Sequence, residues 1–424
     1  MTSWVRYPLA ALVVLAVVAL GALSLAAEPP AGVPGAGLVV AVLDPVVLVW
    51  LAVALFSASF ACYRYYLRGE DPERRVYEGE SVEALVPVYR DADVMDRSVE
   101  RLADSPYEDL TVTIVVEPDD DASRTRAKEL AESHDRVRTL VNDERQGSKA
   151  GALNYAIERS DADVLALFDA DQQPHPELIP HSMAYLEDAD LTRVRSVPDP
   201  SGGLIESATY YEYLLLYFLP QKLARLVLGL NMAGTRSILL RRSVFDTVGL
   251  FAEDTLTEDL DFAHRVHQAG LHNRELLYYP SFEAPAHTLG DWWGQRLRWM
   301  TGSVEVGHDQ LRKWTDVFDP DVLGSVLTAV GTVVAGVLLA VTVPKLAVGL
   351  VTDPLLVGSG LAVLCAVQLL TRAVDHRTAG LDGYGLGWLL FPLVFTGFGL
   401  VIVQSVVGYV AGSDRGWYSI DKEA

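Results

Sequence analysis

The sequence predicts an α/β domain with a mainly parallel sheet, inserted between transmembrane α-helices, two before it and three after. Three observations predict this. Apolar runs long enough to cross a bilayer lie toward both ends of the chain, β-branched runs alternate with charged helical stretches between them, and acids gather where those runs end. With 50% hydrophobic residues among 424 and a mean hydropathy of +0.21, the chain is too apolar for a typical soluble enzyme. Its formal charge of −22, from 56 Asp and Glu against 34 Lys and Arg, lacks the basic footprint of a nucleic-acid binder, so no nucleic-acid partner is expected. Cys62 and Cys365 both sit in apolar stretches, which excludes a disulfide framework and a Cys-rich zinc site. Acidity with scarce lysine points to a halophilic surface, stable in high salt and weakened in dilute buffer.

The spans come first. Residues 9–27 are apolar throughout and match the ~20 residues a helix needs to cross the hydrocarbon core. A secretory signal peptide competes for this segment, since Arg6 precedes it and SLAAEPP follows, but the apolar core is longer than such peptides use. A second run, 38–67, is interrupted by Asp44 and Pro45 and closed by Arg64, Arg68, Arg74 and Arg75. Three more follow at 322–343, 355–370 and 386–410, and the loop between the last two carries Arg372 and Arg377. Placing both arginine groups on the cytoplasmic side gives a multi-pass protein of the cell membrane, with the block 68–319 in the cytoplasm and a short tail at 413–424.

Within that block SVEALVPVY, LTVTIVVE and ADVLALFDAD read as strands, and AKELAESHD and KAGALNYAIERS as helices. Ligands of such sheets bind beyond the carboxyl ends of the strands. There the sequence places Pro87 and Tyr89, then Glu117, Asp119, Asp120 and Asp121, then Asp169 and Asp171. Asp169 and Asp171, two apart at a strand end, face one side and suit a hard cation such as Mg²⁺ or Mn²⁺, although a solvated turn explains them equally well. Lys149 enters a helix from a glycine-flanked loop, where exposed amides attract phosphate; the spacing is not that of a P-loop. In DTLTEDLDFAHRVHQAG, Thr257 is placed as the N-cap, with Glu258 and Asp259 in the first turn. A general base there needs a cleft as well as a carboxylate. Gln295, Arg298 and Trp299 of DWWGQRLRWMTGS share a helical face, offering an amide, a guanidinium and a stacking ring to a sugar phosphate or glycan. Trp292 and Trp293 also fit a membrane-interface anchor. The interrupted apolar stretch around 210–230 and the segment 290–315 are read as interfacial helices.

In this order VPVYRD, VVEPDDD, KAGALN, DAD, TED and QRLRW resemble the family 2 glycosyltransferases, in the membrane branch of cellulose, hyaluronan and glucosylceramide synthases. The resemblance implies a GT-A fold, a nucleotide-diphosphate sugar donor (UDP-linked by family default), a divalent metal, and inversion at the anomeric carbon. It implies that Tyr89 and Glu117, with Asp119 as the alternate acid, frame the nucleotide base, Pro87 being a further substrate-binding residue, and that Lys149 and Asp169 contact nucleotide or diphosphate. Asp171, with Asp169, would hold the metal; Asp259, beside Glu258, would be the catalytic base; Gln295, Arg298 and Trp299 would hold the diphosphate and the acceptor entrance. NMAGTRSILLRRSVF aligns with a segment lining the acceptor site, which nominates Gly234 and Thr235, while His287 is left out of the site. The expected product is a growing polysaccharide. Transfer of one sugar to a membrane lipid and a catalytically silent scaffold are the alternatives.

Overall fold

The computed structural model describes residues 44–200, 202–229, 231, 235–312, 345–381 and 385–412, with isolated helical positions between 323 and 342. The predicted spans at 9–27 and, for the most part, 322–343 lie outside these residues, as does Gly234. The chain divides into two compact units: Tyr65–Asp199 with Gly229–Pro285, and the helices contributed by the remainder.

In the first unit the described strands are β1 (Val82–Val88), β2 (Leu110–Val116), β3 (Val137–Val141), β4 (Val164–Leu167), β5 (Gln173–Pro174), β6 (Leu191–Pro198), β7 (Ile238–Arg241) and β8 (Asn273–Glu283). They form one sheet in the order β3-β2-β1-β4-β7-β6-β8-β5. β1 to β4 are mutually parallel, because a helix returns the chain between each successive pair: Asp96–Ala103, Asp121–Ser133 and Lys149–Arg159. Residue alternation buries both faces. Val82, Ala84, Val86 and Val88 pack with Val99, Leu102 and Leu130 on one side, while Leu85, Leu165 and Leu167 meet Leu153, Ile157 and Phe262 on the other. Beyond β4 the sheet becomes mixed: β7 runs antiparallel to β4 and to β6, and β5 antiparallel to β8, whereas β6 and β8 are parallel. β3 was not among the predicted strands. As an edge strand it has a single buried position, so no apolar run marks it. Glu83, a charge inside the first predicted strand, is buried and satisfied by the Thr113 and Ser160 hydroxyls, each 2.5 Å away, and by Arg138.

The second unit contains three helices long and apolar enough to cross a membrane: Pro45–Arg68, Pro354–Thr378 and Gly387–Ala411. The interruption expected within a span at 38–67 is instead a helix start. The Asp44 carboxylate accepts from the Val46 and Val47 amides at 2.9 and 3.2 Å, and Pro45 takes the first helical position. The second of these helices runs past 370, where the apolar run ends, because Gln368, Thr371, Arg372 and Asp375 form one fully buried polar stripe. Asp375 accepts from Tyr63 at 3.0 Å and Tyr210 at 2.6 Å. Trp50 also donates to the Leu356 carbonyl at 3.2 Å, so the first two helices lie side by side and run in the same direction. Between β6 and β7 in sequence, Leu204–Glu212 continues through a π-helical stretch, Tyr213–Phe218, into Leu219–Leu228. Pro220 follows that widening; it has no N–H for the Leu216 carbonyl one turn back. Lys222 is buried, its ammonium 4.1 Å above the Phe218 ring.

Candidate active site

The strand order sets the place. The chain steps from β1 outward to β2 and β3, then crosses back to β4 on the other side of β1, so the carboxyl ends of β1 and β4 flank a topological switch point. Pro87 is half-buried near the end of β1, and Tyr89 just beyond is exposed, its hydroxyl 3.4 Å from Asp119 Oδ2. Arg90 is held at φ 57° by its backbone N–H donating to Asp120 at 2.5 Å, and its guanidinium lies 4.9 Å over the Tyr89 ring. Of the acids after β2, Glu117 is buried and accepts from Asn142 at 2.7 Å; burial pushes its carboxyl up, against that hydrogen bond. Asp119 is exposed. Asp120 is a structural cap. It accepts from the Ser123 amide at 3.1 Å, and although burial opposes its charge, the bonds from Ser123 and Arg90 hold it below its usual value.

Beyond β4, Asp169 is half-buried and Asp171 buried, in a turn clamped by Gln172, which accepts from the Asp169 amide and donates to Ser196, both at 3.0 Å. Lys149 opens its helix behind the Ser148 cap, which accepts from Gly151 at 3.0 Å. Gly151 is obligatory, since a Cβ there would stand 2.2 Å from the Arg145 carbonyl oxygen. The Lys149 ammonium donates to Asp169 and, at 2.9 Å, to Thr235, whose hydroxyl lies 3.3 Å from Glu258. One hydrogen-bonded chain thus joins KAGALN, DAD, the segment after Gly234, and TED. Asn154 steadies the approach to TED by donating to the Phe251 carbonyl at 2.9 Å and to Glu253 at 2.8 Å. Thr257 occupies the N-cap position, but its hydroxyl makes no capping bond, so the helix start rests on the dipole and the acids of its first turn. Asp259, half-buried, accepts from the Leu260 amide at 2.8 Å.

Burial, and then the neighbouring charge of Asp259, push the Glu258 carboxyl above its usual range against the pull of Lys149. A raised folded-state value means that the folded unit binds this proton more tightly. Its contribution to stability is therefore full below the ordinary glutamate range and is lost as pH rises through the raised value. Glu258→Gln is expected to remove that decline. Unfolding temperatures of the two proteins should agree in acid and separate as pH rises, the variant becoming the more stable; parallel curves would contradict this.

Among the described residues no three His, Cys, Asp or Glu side chains gather as a ready metal cluster. Asp169 and Asp171 supply hard carboxylate oxygens, a donor set that fits Mg²⁺ or Mn²⁺ completed by phosphate oxygens and water.

Gln295, Arg298 and Trp299 belong to the other unit, half-buried on the Leu289–Arg312 helix. Between them in sequence is a residue the motif does not nominate. Arg296 is buried, pairs with Glu212 through two nitrogens at 2.8 and 3.0 Å, donates to Gln295, and lies 4.7 Å over the Trp299 ring. Trp292 is no interface anchor: it is buried and donates to Glu212 at 2.6 Å. The hint was Glu212 itself, a lone acid in an aromatic, apolar stretch. His287 pairs with Glu206 at 3.2 Å.

Fold and strand ends define an α/β domain with a carboxylate-rich switch-point site, in a chain that also carries helices of membrane-spanning length. The model described as Glycosyl transferase family 2 matches residues 83–249, and that described as Glycosyl transferase family group 2 matches residues 168–403. The chain belongs to the family 2 glycosyltransferases. It is 24% identical over 232 residues to a beta-monoglucosyldiacylglycerol synthase of Trichormus variabilis, covering 53% of this chain and 49% of that one. It is 23% identical over 261 residues to a poly-beta-1,6-N-acetyl-D-glucosamine synthase of Staphylococcus aureus, covering 61% and 62%. The chain thus spans about half the length of the first relative and under two thirds of the second. Among solved structures, the mannosyltransferase PcManGT from Pyrobaculum calidifontis, in complex with GDP-Man and Mn²⁺, superposes with a TM-score of 0.53 at 18% identity, covering 87% of this chain and all of that one. The expected GT-A fold is borne out.

Proposed function

We propose that this chain is an inverting, metal-dependent glycosyltransferase of the cell membrane that moves a sugar from a nucleotide-diphosphate sugar, UDP-linked by family default, to a growing polysaccharide. The observation that carries the reading is the chain from Asp169 through Lys149 and Thr235 to Glu258, which links the motif for a diphosphate with the motif for a base. Tyr89 and Glu117, with Asp119 as the alternate acid and Pro87 beside them, frame the nucleotide base, and Lys149 and Asp169 contact the nucleotide or diphosphate. Asp169 and Asp171 hold Mg²⁺ or Mn²⁺, which when bound neutralises charge on the departing diphosphate. Asp259 takes the proton of the acceptor hydroxyl as its oxygen bonds to the anomeric carbon on the face opposite the leaving group; the old C–O bond breaks with its electron pair going to the diphosphate. Gln295, Arg298 and Trp299 serve diphosphate and acceptor. The catalytic unit faces the cytoplasm, a reading supported by the two side-by-side helices that run the same way and end toward Arg64 and Arg377.

A second reading, one sugar placed on a membrane lipid, is favoured by the glucosyldiacylglycerol relative. Purified protein in high salt, given nucleotide sugars with Mn²⁺ or Mg²⁺, should release nucleoside diphosphate and stop doing so with EDTA. Long polymer from donor alone supports the polysaccharide, and strict dependence on added lipid with single transfer supports the glycolipid. No turnover with any donor, with or without membrane lipid, would defeat both.

A further inference from the structure

Arg236 belongs to none of the nominated motif positions, yet the sheet delivers it to them. Ile238, the first residue of β7, pairs with Leu167, the last of β4, and just before that strand Arg236 follows Thr235, which accepts from the same Lys149 ammonium that Asp169 holds. Ser237, between Arg236 and the strand, holds φ 52°, a conformation that side-chain-bearing residues adopt at a cost and that concentrates at functional sites. The guanidinium donates to Glu283 at the end of β8 at 2.8 Å, which fixes its direction, and 33% of the side chain stays accessible. Glu283 first, against burial, and then Asp169, Asp259 and Asp171 hold it fully charged, which puts the carboxylates of DAD and TED within its electrostatic reach.

A site with that many acids repels a diphosphate unless cations are set against its oxygens. Lys149 is one such cation, a point charge already engaged by Asp169 and Thr235. A guanidinium presents a planar fork that matches phosphate oxygens and keeps its charge at every working pH. We propose that Arg236 is a phosphate-binding residue, set next to Thr235 in the Lys149–Asp169 chain and aimed by Glu283, that grips the distal phosphate of the nucleoside diphosphate. As the anomeric C–O bond breaks, its electron pair goes to an oxygen of that phosphate, and Arg236 stabilises the charge that collects there. The inference rests on the reading of this site as a nucleotide-sugar site.

The test is equilibrium binding of UDP, UMP, GDP and GMP to the full chain in detergent with Mn²⁺, comparing the natural protein, Arg236→Gln and Arg236→Lys. For whichever base binds, Arg236→Gln should weaken the diphosphate by about tenfold or more, the loss that one charged hydrogen bond carries, and leave the monophosphate unchanged; Arg236→Lys should recover part of the loss. Unchanged monophosphate affinity is also the evidence that the pocket has folded, and where Arg236→Gln does not fold, Arg236→Lys carries the comparison. Equal weakening of both nucleotides, or no weakening of either, overturns the assignment and leaves the donor reading standing. Failure of the natural protein to bind any of the four defeats the donor reading and this inference with it.

Discussion

Asp259→Asn is expected to cut sugar transfer by about 10²–10⁴-fold, the range that a positioned general base contributes, while nucleotide affinity stays within a factor of about two. The two halves of that expectation separate chemistry from binding. Asn keeps the size of the side chain and its ability to accept from the Leu260 amide, so the helix start is preserved and only the capacity to take a proton is lost. Glu258 is a poor substitute, because burial keeps it reluctant to ionise even after the charge of Asp259 is gone, and its carboxylate is already engaged by the Thr235 hydroxyl at 3.3 Å. Initial rates of nucleoside diphosphate release alongside a binding isotherm would decide the matter. A variant that turns over normally would remove Asp259 from the chemistry; one that no longer binds nucleotide would make it a structural residue instead.

The largest effect on stability is expected at Arg296. With Arg296 2% and Glu212 fully shielded from solvent, Arg296→Leu strands a buried carboxylate, at about 3–5 kcal/mol. Changing both residues to Leu should recover most of that loss, since a buried pair replaced by apolar side chains is often neutral. A residual of ~1 kcal/mol is left by the Trp292 indole that donated to Glu212. Thermal unfolding in detergent of the natural protein, both single variants and the double variant would measure the cycle. Single and double variants of equal stability would show that the pair contributes through packing alone. Because Arg296 also contacts Gln295 and the Trp299 ring, the double variant, even when stable, tests whether these two keep their orientation without it.

The parts of the fold that were legible in the sequence are those written in contiguous residues. VLALF is apolar because β4 is buried on both faces, and the acids at its end are where the strand meets the site. KAGALN was legible as a helix start, and its glycine is explained by the Arg145 carbonyl against it. What was hidden depends on partners far away in the chain. Gln172 reads as an ordinary polar residue until Ser196 is placed beside it, Asn142 until Glu117 is, and Arg236 until Glu283 is. The helix that carries the span predicted at 355–370 runs on to Thr378, and the sequence hides this for the same reason: Arg372 and Asp375 read as the close of an apolar run until the Tyr210 ring is placed beside the guanidinium and the Tyr63 and Tyr210 hydroxyls on the carboxylate.

The position of β7 also bears on synthesis. β4 and β6 are made before it, but in the finished sheet β7 lies between them and is the neighbour of both. The ribosome reaches it only after the helices of 204–228. Until then β4 keeps one edge unpaired and β6 keeps both, since its other neighbour, β8, is made later still. Translation paused within those helices would prolong the exposure of these edges, and a slow codon tract or an inserted tag there should lower yield more than the same change after Arg241.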